Sequence, residues 1–146
     1  MKILAPLRSA DEVLPLAEAG AGEFYCGVTP PGWEAAFGQA SVHRRSARSA
    51  GVSGLEELRQ IVALAGDAPV FATLNAPSYP AGAIPRLVEF GRRLVEEANV
   101  AALIVAELEL ILALGDAGLA GRVHVSSLAT CRNPGAAAFY RSLGVS

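Results

Sequence analysis

Short apolar runs alternate along this chain with longer amphipathic segments. Residues 2–5 read as a first strand. Ser9-Ala10-Asp11-Glu12 has the spacing of a capping box, in which Ser9 and Glu12 satisfy free N–H groups at a helix start. Val13, Leu16, Ala17 and Gly20 then recur at i, i+3, i+4 and i+7, one helical stripe. Residues 23–28 form the second predicted strand. Ser53-Gly54-Leu55-Glu56 is a second capping box, opening a helix with Leu58, Ile61, Val62 and Ala65 on one side. Residues 69–75 are the third strand. The next helix is the clearest in the chain: Ile84, Leu87, Val88, Gly91, Leu94, Val95 and Ala98 share one face, with charged residues mostly opposite. Residues 101–105 lack polar alternation, as expected for a strand buried on both faces. Leu108, Ile111, Leu112 and Gly115 predict a further helix. Residues 122–127 predict a fifth strand. Asn133 before Pro134 reads as an N-cap with proline in the first helical position, opening a last helix to about Leu143.

Helices that end at glycine, here Gly20, Gly66, Gly118 and Gly144, have the expected left-handed stop. Five consecutive β/α units imply parallel strands with right-handed crossovers. The fold class is therefore α/β, either part of a TIM-like (β/α)8 barrel or an open doubly wound sheet of the flavodoxin kind. After Gly144 the chain reads Val145-Ser146, where each earlier unit would begin a strand. The expectation is one domain over residues 1–146, the truncated N-terminal portion of a barrel. Residues 29–53 interrupt the pattern: Pro30-Pro31-Gly32 breaks structure, and a basic cluster of His43, Arg44, Arg45 and Arg48 follows. A loop this long inside a compact domain is usually functional or mobile.

Composition narrows the function classes. Hydrophobic residues make up 52% and charged residues 18% of 146, which suits a well-buried domain. The net charge of −2 offers no global basic field for nucleic acid or an acidic membrane. No apolar run approaches the roughly 20 residues that span a bilayer, and the N-terminus lacks a signal-peptide core. Cys26 and Cys131 lie far apart without a CxxC pair. The expected location is cytoplasmic, with reduced thiols, no cofactor in this chain and no metal site.

Ligands of parallel α/β folds sit at the C-terminal ends of strands. That rule selects Pro6, Cys26, Gly27, Asn75, Glu107, Ser126 and Ser127. Phe71, Thr73 and Asn75 share one strand face, as do His124 and Ser126. Asn75, Ser126, His124 and Glu107 are the candidate substrate-binding residues, for a polar small molecule or polymer. Each has a plainer reading: Asn75 capping its loop, His124 bonded in the core, the serines as small packing residues, Glu107 favoured by a helix dipole. Arg44, Arg45 and Arg48 are candidate anion-binding residues, or simply solvated charges. Cys26 reads as a small buried hydrophobe and Cys131 as inert. No complete nucleophile–base pair, dinucleotide fingerprint, P-loop, HExxH or GxSxG is present.

The ordered segments resemble the collagenase-like peptidase family U32. Leu4-Ala5-Pro6 followed by Glu18-Ala19-Gly20-Ala21 and Phe24-Tyr25-Cys26-Gly27 is similar to that family's opening. Ser53-Gly54-Leu55-Glu56-Glu57-Leu58 resembles its helix start, and Thr73-Leu74-Asn75 its strand end. Leu103-Ile104-Val105, His124-Val125-Ser126, Asn133 and the run from Phe139 to Val145 continue the likeness in order. Leu7-Arg8 and Ala106-Glu107 depart from it. The resemblance implies a (β/α)8-like barrel and a peptidase label. Related proteins are implied to hydroxylate RNA bases or a ubiquinone precursor with an iron–sulfur cluster, whose cysteines lie downstream of this segment. It leaves three roles open: the N-terminal fragment of a peptidase without a complete catalytic site, a component of such a hydroxylase, or a non-catalytic partner subunit pairing through exposed strand edges as a homo- or hetero-oligomer.

Overall fold

The computed structural model describes residues 2–44 and 51–145. Its order is β1 (Ile3–Leu7), α1 (Val13–Glu18), β2 (Ala21–Val28), α2 (Trp33–Phe37), β3 (Gly51–Val52), α3 (Leu55–Ala65) and β4 (Val70–Leu74). Then follow α4 (Ile84–Glu96), β5 (Ala102–Val105), α5 (Leu108–Asp116), β6 (Val123–Val125) and α6 (Pro134–Ser142). Every strand pairing is parallel. The sheet runs β1-β2-β4-β5-β6, and β3 adds to β2 at Gly27 and Val28.

Strand side chains alternate between two faces, and the faces differ in kind. Ala5, Leu7, Phe24, Cys26, Val70, Ala72, Leu74, Leu103, Val105 and Val123 join one apolar cluster. Val13, Leu58, Ile61, Leu87, Leu94, Leu110 and Leu114 of the helices belong to the same cluster. Each Val, Leu, Ile or Phe side chain among them contributes about 1.5–3 kcal/mol on removal from water. The alternate positions, Tyr25, Gly27, Phe71, Thr73, Ile104 and His124, lie outside it. The chain is thus an α/β fold whose parallel sheet carries its helical layer on one face, an arrangement consistent with a partial barrel. A doubly wound sheet covers both faces.

Gly91 explains why α4 sits so close to the sheet. A Cβ there would meet Leu103 Cδ1 at 2.9 Å and Leu114 Cδ2 at 3.2 Å. The predicted stripe of α4 therefore works through a glycine that brings β5 and α5 into contact.

Four local expectations are corrected. The first capping box is incomplete: Ser9 makes no side-chain cap bond, and Glu12 accepts instead from the Arg8 N–H at 2.9 Å and from its guanidinium at 2.9 and 2.6 Å. A 3-10 turn at Ala10–Glu12 precedes α1 and uses the first residues differently. The second box shifts by one: Gly54 is the N-cap, and Glu57, not Glu56, accepts from Ser53 N–H at 2.8 Å and Ser53 Oγ at 2.7 Å. In α5, Leu110, Ile111 and Leu114 are buried while Leu108 and Leu112 are exposed, so the stripe is rotated from the predicted one. Finally, the irregular segment contains α2 and β3, both too short for periodicity to reveal. The Asn133 cap forms as expected, with Oδ1 accepting from Ala136 N–H at 2.9 Å. Among the described residues, no helix is long and apolar enough to cross a membrane.

Candidate functional site

The face without helices carries a cavity of about 620 Å³ at the C-terminal strand ends. Asn75, His124 and Ser126 line it, together with Tyr25, Gly27, Thr73, Ile104 and Ser127. Glu107 is absent from its lining. Its carboxylate is the N-cap of α5, accepting from Leu110 N–H at 2.7 Å, so the geometry assigns Glu107 to helix capping.

Two residues from the irregular segment complete the wall: His43 and Arg44. Several bonds hold them there. Ala76 N–H and Tyr79 Oη both donate to the Val42 carbonyl, at 3.1 and 2.9 Å. Ser41 Oγ donates to the His43 carbonyl and accepts from His43 N–H, at 3.0 and 3.1 Å. Arg44 N–H donates to Asn75 Oδ1 at 3.2 Å. Upstream, Trp33 is buried against Phe37 and Tyr79, with ring centroids 4.5 and 6.3 Å apart, and Arg86 donates to the Pro31 carbonyl. The loop after β4 therefore serves as the anchor for residues 41–44. Arg45 and Arg48, the rest of the expected basic cluster, lie outside the described residues.

Gly27 is the close-approach point. A Cβ on it would stand 2.5–2.7 Å from three atoms of the His43 ring. The imidazole, 5% exposed, packs where any side chain at 27 would sit. His43 was visible in sequence only as part of a charge cluster. The signal that could have singled it out is a glycine ending a buried strand, which marks close approach by another group.

On the opposite wall, His124 packs on Phe71 with ring centroids 5.0 Å apart and a tilt of 42°. Ser126 is buried, and its Oγ accepts from Leu128 N–H at 3.2 Å. Thr73 Oγ1 donates to the Cys26 carbonyl at 3.2 Å, stitching β4 to β2. Cys26 borders the cavity, but burial, aided by the charge of Glu57, pushes its thiol up to about 12. A thiol held protonated at neutral pH is a poor nucleophile.

The iron–sulfur cluster implied for related longer proteins needs several thiolates. Here Cys26 belongs to the buried apolar cluster and Cys131 is exposed. Among the described residues no three His, Cys, Asp or Glu side chains gather as a metal-binding group. These residues do not fit such a cluster.

The family model of peptidase family U32 matches residues 8–146. This chain belongs to the U32 family. Its fold is also that of the solved U32 peptidase Mk0906, with a TM-score of 0.65 at 19% identity. The likeness covers 99% of this chain and 56% of Mk0906, so the chain spans little more than half of that protein's length. No curated protein matches the chain. In this chain the segments Thr73-Leu74-Asn75 and His124-Val125-Ser126 are strand ends that meet at the cavity.

Proposed function

We propose that this chain is the substrate-holding part of a U32-family peptidase barrel, and that the bond-breaking groups are supplied from outside it. One observation carries the reading. Asn75, His124 and Ser126, on separate strand ends, converge with His43 and Arg44 on one cavity. Polar groups converging at the C-terminal ends of parallel strands are the usual place for a ligand. The protonated state of Cys26 supports the division of labour, because the one thiol at the cavity is unsuited to attack. The test is hydrolysis of denatured collagen peptides. The isolated 146 residues should give only the blank rate. In the whole polypeptide, Asn75→Ala should lower kcat/KM by about tenfold or more, while the fold loses only about 0.5–1.5 kcal/mol for the missing bond to Arg44 N–H. Cleavage by the isolated chain that disappears in Cys26→Ser would overturn the proposal.

A second reading is favoured by β1, which stands at one end of the sheet order and leaves Ile3 55% and Leu4 43% exposed. An apolar edge strand of this kind invites pairing. In that reading the chain is a partner subunit or scaffold that adds a strand, from a second copy or another protein, along β1.

A further inference from the structure

We infer that the cavity recognises an anionic oxygen ligand, a carboxylate or a phosphate. This rests on the reading of the cavity as the substrate site and names the chemistry it selects.

Asn75 and Ser126 each already have part of their hydrogen-bonding capacity in use. An asparagine amide has one carbonyl acceptor and two N–H donors. The Asn75 carbonyl oxygen already accepts from Arg44 N–H. What remains to Asn75 is one Oδ1 lone pair and both Nδ2 N–H donors, so donors predominate. A serine hydroxyl has one donor and two lone pairs. Ser126 Oγ already accepts from Leu128 N–H, and the side chain is 5% exposed. One lone pair and the hydroxyl hydrogen remain, so Ser126 can still donate. Both residues thus have backbone N–H groups on their acceptor sides and present donors to the same cavity.

Charge points the same way. Arg44 lines the cavity and takes part in no ion pair among the described residues. No Asp or Glu lines it. The nearest expected carboxylate, Glu107, is bonded to the start of α5 instead. A guanidinium, an amide N–H2 and a buried hydroxyl, without a competing carboxylate, suit a ligand rich in anionic acceptors. Bonds to charged groups are also stronger than neutral ones.

The experiment is a titration of the 15N-labelled chain with three probes, followed through the Asn75 side-chain amide and the backbone N–H signals of Arg44 and Leu128. The probes are glutarate, inorganic phosphate and the neutral diamide glutaramide. Either anion should shift these signals to saturation, and the one that binds more tightly identifies the carboxylate or phosphate source. Glutaramide should bind at least about tenfold more weakly. Asn75→Asp keeps an oxygen for Arg44 N–H but removes the donors and adds a negative charge. It should weaken the anion by about tenfold or more. Should that variant fail to fold by circular dichroism, Arg44→Gln, at an exposed side chain, replaces it with the same expectation. Equal affinity for glutaramide, or anion binding unchanged in the variant, overturns the inference. So does the absence of any probe-dependent shift. If only glutaramide shifts the signals, the anion preference fails while the cavity stands as a site. The collagen-peptide assay of Asn75→Ala judges the site independently of ligand charge.

Discussion

Gly27 shows how much a single missing side chain can decide. Because the His43 ring occupies the space a Cβ would take, Gly27→Ala must push the imidazole or the β2 backbone aside. Overpacking of this kind costs about 1–3 kcal/mol. The expected outcome is that loss in chemical denaturation, with displaced His43 ring signals in NMR spectra. A variant of wild-type stability with unmoved His43 signals would show that the contact is not constraining. Asn75 was legible from sequence because a long polar side chain at the end of a buried strand is out of place there. His124 and Ser126 were legible from their shared strand face. His43 was not, since its position depends on Ala76, Tyr79 and Gly27, all distant in sequence. Glu107 could be read two ways from sequence. Its place at a strand end is also the place of a helix N-cap, and the cap took it.

The elements whose lengths exceed two turns were the easiest to read. In α4 the predicted stripe supplies the buried Leu87, Gly91 and Leu94, with Ile84, Val88 and Val95 half-buried beside them, while Phe90 is buried without having been part of the stripe. In α5 nearly every position is apolar, so periodicity alone could not fix which side faces the sheet. The start of α3 adds a pH dependence through a cap that the sequence placed one residue too early. The backbone N–H of Ser53, and then its hydroxyl, hold the Glu57 carboxyl below its ordinary value of 4.5. A depressed carboxylate stabilises the fold fully above its unfolded pKa. That contribution is lost as pH falls below about 4.5 through the lower folded value. Wild type should therefore be more stable than Glu57→Gln near pH 6, and the difference should shrink steadily toward pH 3. Urea denaturation at intervals across that range measures it. A gap that is constant with pH would mean that the carboxylate's charge plays no part in the cap.

At the scale of the whole molecule, helices on one face and polar residues on the other leave the sheet with a cavity on one face and a vulnerable rim. β1 is the rim. Pro6 lacks an N–H and blunts its hydrogen-bonding edge at one point. Ile3, at 55% exposure, remains apolar, while Lys2 supplies a flanking charge paired with Glu23. Charged residues on an edge strand oppose pairing, so the balance can be tipped by one substitution. The 146-residue chain should associate in sedimentation velocity as its concentration is raised from about 1 to 100 µM, the range over which modest interfaces populate. Ile3→Lys should hold it monomeric without changing its circular dichroism. Ile3 does not line the cavity, so anion titrations of the variant should match those of wild type. A chain that stays monomeric throughout would mean that Pro6 and Lys2 already protect β1. Pairing with a second copy along β1 would then fall as a reading of the chain.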